Sequence, residues 1–510
     1  MVDSPVVDFP YTHFFVSSAT AVIISGPHIQ TFDASTGKLI ASTVGREGLA
    51  PSGPIRVAAV DRDAKHLITA ADDKMLKLWR IDVLELVNER ELPKRPTALN
   101  FTQDGETIVV ADKFGDVFSY PLEHVPQNPP AAPAEETKNA SHENPSGGRL
   151  ILGHVSLLNA FVLSADEKYI LTADRDEHIR VSWYPQGYTI ENYCLGHTSF
   201  VSALHIPDFS PDLLISGGGD PVLKVWDWLS GRLKRDIAIR EAVEPYIKVK
   251  PAKRTPWRLG NDGAEGSGSK GKRKKKGKRG KGKGKQQDDE HPDSTLPQEV
   301  EESAPVAEQP WEDEAPVLAI SQIKSRGRHI VCSAFGATAL FSFTLPELDS
   351  TPPHIHTVDF GQPVLGFTVQ DDGLVWVSLD NGWEGSAGLK VRLARLNLDG
   401  KLAEINDSTS PLFTALNVAA LLPGTADDLK SLELYAPLTS LPKSLDDQTE
   451  GGGGDERKLS KKELGRLKTR EAVAKKQGRS KDEEDEERQA KRARSDLGDD
   501  VEMADGEDTS

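Results

Sequence analysis

Short apolar runs rich in Val, Ile, Leu and Phe recur along the chain, divided by Gly, Asp, Asn and Pro. No long stretch before the C-terminal tail carries the 3.6-residue rhythm of an amphipathic helix. The pattern predicts an all-β chain, and internal repetition narrows the class. Gly153-His154 is followed by FVLSADEKYILTADRDEHIRVS, and Gly196-His197 by VSALHIPDFSPDLLISGGGDPVLKVWDW, with the turn aspartates Asp176 and Asp220 at nearly the same offset. Upstream, HLITAADDKMLKLW sets Asp73 as far before Trp79 as Asp220 stands before Trp226. Units that repeat every roughly 40–45 residues and begin on Gly-His are the signature of propeller blades.

Weaker units keep the same strand–turn–strand rhythm. They are AVIISGPHIQTFD, TIVVADKFGDVFSY with Tyr120 where a Trp would stand, HIVCSAFGATALFSF, and LVWVSLDNG with LKVRLARLNLDG. Together these predict a seven-bladed WD-repeat β-propeller. In such a blade the Gly-His histidine bonds the turn aspartate and passes through a Ser or Thr hydroxyl to the Trp indole, satisfying polar groups that burial would otherwise penalise. The expected structural set is His154, His197, Asp73, Asp176, Asp220, Trp79 and Trp226. An N-terminal strand is expected to complete the final blade.

Three stretches fall outside the blade pattern. Residues 127–149, rich in Pro, Ala, Ser and Glu, read as a flexible inter-blade loop. Residues 251–316 contain KGKRKKKGKRGKGKGK and read as a disordered basic and acidic insert; residues 443–510 read as a disordered charged tail with no apolar stripe to bury. The remaining pieces are then 1–126 (blades 1–3), 150–250 (blades 4–5) and 317–442 (blades 6–7 and a closing segment).

Composition refines this reading. Hydrophobic residues make up 37% of the chain and charged residues 28%, and no run reaches the roughly 18 apolar residues of a spanning helix, so no membrane contact is expected. The start, MVDSPVVDFP, lacks the basic and apolar regions of a secretion signal. Two cysteines, Cys194 and Cys332, each inside an apolar run, supply neither a disulfide framework nor a zinc site. The net charge of −17 conceals a segregated distribution, because the 251–316 insert holds an almost purely basic block and the tail ends acidic.

The segment ILTADRDEHIRVSWYPQ followed by LGHTSFVS closely resembles a stretch of the non-catalytic WD-repeat subunit of the eukaryotic tRNA 7-methylguanosine methyltransferase. VVADKFGDVFSY, SGGGDPVLKVWDWLSGR and LYAPLTSLPK resemble further parts of that family. Ser182, where a generic repeat has Trp or Phe, is itself family-like, and strand alternation puts Trp183 on the opposite face. The resemblance implies a scaffold in a heterodimer, binding and stabilising a separate catalytic subunit that holds S-adenosylmethionine and forms 7-methylguanosine in the variable loop of tRNA. It implies no cofactor on this chain, and tRNA contact through the complex. Lys113, Asp174, Arg175, Asp176, Glu177 and Arg180 become candidates for the partner-contacting edge or its support, with His178 less clearly assigned.

Other readings compete at each position. His154 and His197 as metal ligands lack a third ligand at suitable spacing. Gly217-Gly218-Gly219 precedes no helix and no acidic ribose partner, so it reads as a turn rather than a phosphate loop. Arg175 and Arg180 also fit a solvated face or an internal ion pair. The 270–285 basic block lacks aromatics, which leaves nuclear import, supported by a second basic run at 491–494, ahead of phosphate contact with tRNA. No nucleophile elbow, HExxH or S-adenosylmethionine loop appears. The alternative to the methyltransferase scaffold is a general WD-repeat scaffold of a nuclear complex in a chromatin or ubiquitin pathway.

Overall fold

The computed structural model describes residues 7–46, 52–123, 144, 146–251, 316–346, 351–383, 388–405, 410–419 and 422–443. The chain divides into residues 1–443 and 444–510, and every described residue lies in the first unit. That unit is a seven-bladed propeller. Its blades are four-stranded antiparallel sheets, each of four consecutive strands, spanning 13–42, 55–91, 96–153, 158–194, 201–238, 320–359 and 364–405. The first strands of neighbouring blades pack side by side around the axis.

Position in the blade explains the two kinds of hydrophobic pattern. Second strands such as His66–Ala71, Thr107–Asp112 and Tyr169–Asp174 are buried along nearly their whole length, because a neighbouring sheet covers each face. They therefore read as continuous apolar runs. The outermost strand Glu85–Glu91 alternates exposed and half-buried positions along most of its length, since one face meets water. Near the axis, polar side chains stitch blade 4 to blade 5, blade 5 to blade 6 and blade 6 to blade 7. Asn159 donates to the Val201 carbonyl at 2.8 Å, Ser202 to that of Ile320 at 2.6 Å, and Phe367 N–H to Gln322 Oε1 at 3.1 Å.

Two expectations need correction. The N-terminal strand does not complete the final blade, because blade 7 takes all four strands from 364–405. The ring closes through segments beside the sheets. Val7–Asp8 pairs with Pro423–Gly424, Ser378 donates to the Tyr11 carbonyl at 2.5 Å, and the Tyr11 hydroxyl donates to the Leu416 carbonyl at 2.6 Å. Lys390, only 2% exposed, lies over the Tyr11 ring at 5.2 Å and donates to the Phe9 carbonyl at 3.0 Å, with Asp8 Oδ2 at 3.8 Å. Residues 127–149, expected between blades, instead interrupt blade 3: its third strand ends at Pro121 and its fourth, Arg149–Gly153, follows the interruption. The expected disorder of 127–149, 251–316 and 443–510 concerns residues almost all outside those described.

The closing segment forms a strap. In an up-and-down sheet the turn between second and third strands and the connector to the next blade emerge at the same end, and residues 422–443 run over that end. Leu432 lies beside Gly26 of blade 1, and its carbonyl accepts from Arg56 at the start of blade 2. Tyr435 donates to Asp380 of blade 7 at 2.7 Å. Leu438 and Leu441 pack with Phe200, which precedes blade 5, and Ala319 and Phe335 of blade 6. Lys443 reaches Glu177 of blade 4 at 2.6 Å.

Burial pulls the Lys390 ammonium down to about 8, against an opposing pull from Asp8. A lysine whose folded pKa lies below its unfolded value holds fewer protons when folded, so its contribution to stability rises with pH through that window. Denaturant unfolding at pH 7.5, 9 and 10.5 is expected to show the native chain gaining on Lys390→Met by about 1–3 kcal/mol. A pH-independent difference would mean that Lys390 is not a buried cation.

Candidate functional site

Blade 5 carries the complete polar chain. His197 Nδ1 meets Asp220 Oδ2 at 2.6 Å, His197 Nε2 meets Ser216 Oγ at 2.7 Å, and the Trp226 indole N–H donates to Ser216 at 2.8 Å. Burial works to raise the Asp220 pKa, but hydrogen bonds from His197 and Thr198 outweigh it and hold the carboxyl at about 2. The adjoining triple glycine answers a packing need: a Cβ on Gly218 would lie 1.9 Å from the Phe200 carbonyl oxygen, and one on Gly217 would press on Leu223 and Ile320.

Blade 4 departs from expectation. His154 bonds Asp174 at 3.0 Å and Thr172 at 2.8 Å, so the buried acid is Asp174 and not Asp176. Asp174 closes the second strand, where its other oxygen accepts from the backbone N–H groups of Asp176 at 2.9 Å and His178 at 3.1 Å. One carboxylate thus holds both the histidine and the turn, and Asp176 is left at the surface. The chain ends at Thr172 because Ser182 replaces the indole. Trp183 lies on the outer face, 42% exposed, with its indole N–H donating to Glu191 at 2.8 Å.

Blade 2 keeps only the inner part, with Trp79 donating to Thr69 at 2.9 Å. Asp73, expected in this network, is an exposed turn residue that accepts from the Met75 backbone N–H at 3.0 Å. In blade 3, Asp112 corresponds to Asp174 and accepts from the N–H groups of Phe114 and Asp116, while its Oδ2 is buried without a hydrogen-bond partner. Burial raises its pKa. Tyr120 replaces the Trp and accepts from Asn144 Nδ2 at 2.8 Å.

The six edge candidates separate into interior and surface. Asp174 and Arg180 are buried; Arg180 donates to the Gly153 carbonyl at 3.1 Å and so supports the edge without forming it. Asp176 and Glu177 are engaged from within the chain by Lys443, at 3.6 and 2.6 Å. Arg175 is half-buried, and its backbone N–H donates to the Leu157 carbonyl at 3.0 Å. Lys113 is half-buried with its ammonium 5.7 Å from the centre of the Phe114 ring, which Lys94 approaches at 5.0 Å.

Phe114 itself escaped the sequence reading. It sits 53% exposed in the blade 3 turn, beside the connector in which Val155 is fully exposed, and Leu195 is exposed in the next connector. The His154 N–H donates to the Gly115 carbonyl at 2.8 Å, which ties the Phe114 turn to the Val155 loop. The available signal was a phenylalanine between the turn residues Asp112 and Gly115, where a side chain has no core to enter. Among the described residues, no group of three or more His, Cys, Asp or Glu side chains is arranged to hold a metal ion. Cys194 and Cys332 are free, and burial pushes both thiols up to about 12.

The chain matches the family described as the tRNA methyltransferase TRM82 WD40 domain over residues 50–149 and 134–395. It belongs to that family. Among curated relatives in the family, a tRNA (guanine-N(7)-)-methyltransferase non-catalytic subunit from Aspergillus clavatus is 39% identical over 36% of this chain and 48% of that protein. Those of Meyerozyma guilliermondii and Aspergillus oryzae are each 41% identical, over 38% and 36% of this chain and 44% and 46% of theirs. The aligned part of the chain thus spans about half the length of the curated relatives it matches. Among solved structures, the computationally designed Ika8 protein aligns over 79% of this chain and 88% of that chain, with a TM-score of 0.44 and 14% identity.

Two contrasts test the polar networks. His197→Ala leaves two buried partners unsatisfied and is expected to cost about 2–4 kcal/mol in denaturant unfolding. Asp174→Asn is expected to cost at least ~1 kcal/mol, whereas Asp176→Asn should stay within about 0.5 kcal/mol of the native chain, as surface changes do. The reverse order would restore Asp176 to the network.

Proposed function

We propose that this chain is the non-catalytic subunit of a tRNA (guanine-N7)-methyltransferase, binding and stabilising a separate catalytic chain that carries S-adenosylmethionine. Family membership supports the reading, since the curated relatives are named non-catalytic subunits of that enzyme. The observation that carries it to a place on the molecule is the exposed group Phe114, Val155 and Leu195, at the end of the propeller that the strap also crosses. Exposed apolar side chains in the turn and connectors of one end, with Lys94 and Lys113 against the Phe114 ring, have the make-up of a docking surface with an aromatic anchor beside positive charge.

In this reading the propeller does no chemistry. Blades locked by their polar networks and stitched near the axis present a fixed edge, and that edge favours one conformation of a mobile segment of the enzyme, raising the population competent to act. The complex is a heterodimer, it methylates guanosine in the variable loop of tRNA, tRNA is met through the assembled pair, and the compartment is the nucleus, reached through the 270–285 basic block.

The test is recovery of the native complex. Purification of the tagged chain from its own cells should bring down a methyltransferase and 7-methylguanosine-forming activity in near-equal stoichiometry, and tRNA from cells lacking the chain should be short of that base. Unchanged 7-methylguanosine would sink the proposal; a chromatin or ubiquitin assembly in its place would favour the general scaffold. Phe114→Ala combined with Lys113→Glu is expected to weaken the pair by about tenfold or more, the effect of losing one anchoring aromatic, with the melting temperature of the free chain nearly unchanged.

A further inference from the structure

Strands of blades 2, 4 and 5 carry a basic residue two positions before the Trp or its replacement: Lys77, Arg180 and Lys224, each at most 9% exposed. In blade 5 the ammonium of Lys224 reaches Asp236 across the outer pair of strands at 2.9 Å, and in blade 4 Arg180 donates to a backbone carbonyl. Blade 2 is different. The residue facing Lys77 in register is Glu89, which is exposed and makes no ion pair with it. Lys77 instead turns toward blade 1 and donates to Ser52 Oγ at 2.5 Å, its one hydrogen-bond partner among the described residues.

The space beside this ammonium is a cavity of about 200 Å3 between blades 1 and 2. Ile29, Ile55, Met75 and the Trp79 ring form apolar walls, and His28, Arg46 and Ser52 are also among its lining residues. Arg46 and Gly45 are exposed at its rim. The Arg46 guanidinium is held by the carbonyls of Val83 and Leu84, and His28 faces Asp428 of the strap, so neither competes for the interior. Among the described residues, no carboxylate lines the cavity. Only one of the three ammonium hydrogens is engaged among those residues, which leaves this cation able to take a further acceptor from the cavity side. The apolar walls set what may carry that acceptor, because an engineered cavity of about 150 Å3 takes up benzene.

We propose that this pocket binds a carboxylate carried on a compact apolar body, with the Lys77 ammonium as its counter-ion. Two sources share that chemistry: a small free acid, and the C-terminal residue of a polypeptide with an apolar side chain. The site is remote in sequence from the Phe114 turn and does not depend on the assignment of the catalytic partner.

The experiment titrates the full chain, alone, with benzoate and with its neutral isostere benzamide, following bound ligand by saturation-transfer NMR and the pocket by Trp fluorescence. Benzoate is expected to bind in the millimolar range and benzamide at least about tenfold more weakly, the difference one charge-assisted hydrogen bond makes. Lys77→Met should reduce benzoate binding to the benzamide level. Should that variant fail to fold, the comparison of the two ligands on the native chain stands by itself. Equal binding of benzoate and benzamide, or undiminished binding to a folded Lys77→Met chain, overturns the proposal. A short peptide ending in a free phenylalanine carboxylate separates the sources: tighter than benzoate, it identifies a chain end as the occupant, and weaker, a free small acid.

Discussion

A propeller is a ring of sheets, and a ring holds only if its first and last sheets are joined as firmly as the others. Here that seam is made without exchanging a strand. The N-terminal segment slides between blade 7 and the residues after it, where the Tyr11 ring, the buried Lys390 ammonium and the carbonyl of Phe9 satisfy one another. The single paired strand of the seam, Val7–Asp8 with Pro423–Gly424, lies outside the seven sheets. Because the closure uses chain on the strap's side of blade 7, the same residues that complete the ring also begin the path of residues 422–443 over one end of it. The shape of the exposed face follows from how the seam is built.

Within the blades, polar burial is handled with decreasing completeness. Blade 5 links four residues, blade 4 three, and blade 2 two, while blade 3 leaves an oxygen of Asp112 unmatched. Burying a polar group is tolerable where a partner of the right length stands opposite, and each loss of a partner shortens the chain by one member. Apolar packing between neighbours is common to complete and incomplete blades alike: Leu76 and Leu78 of blade 2 cluster with Ile108, Val110 and Tyr120 of blade 3, and Ile215 and Leu223 of blade 5 with Ile320 and Ile330 of blade 6.

Much of this was legible in the residues. Seven strand–turn–strand units, the roles of His154, His197, Asp220 and Trp226, and the outward turn of Trp183 followed from repetition and alternation, which act over a few neighbouring residues. What failed depended on longer-range choices. Asp174 and Asp176 stand two apart on one strand end, and offset alone favoured Asp176; the deciding factor was that Asp174 can hold the turn N–H groups and the histidine together. Asp73 kept the right interval, but its blade places no histidine against it. The engagement of Asp176 and Glu177 by Lys443 joins residues more than 260 apart in sequence, and no local pattern encodes it. Position 127–149 misled because composition marks a loop without telling which two strands it joins.

The strap has a consequence for how the molecule comes into being. Synthesis proceeds from the N-terminus, so Phe9, Arg56 and Glu177 are made long before Leu422, Leu432 and Lys443, the partners that cover or bind them. Until those last residues leave the ribosome, blade 1 has an open flank and one end of the growing ring lies bare to water. Contacts spanning so much sequence form slowly, and unpaired sheet edges invite association in the interval. The flank of blade 1 and that end of the ring are therefore covered only once residues 422–443 have been made, and closure of the ring waits on their synthesis.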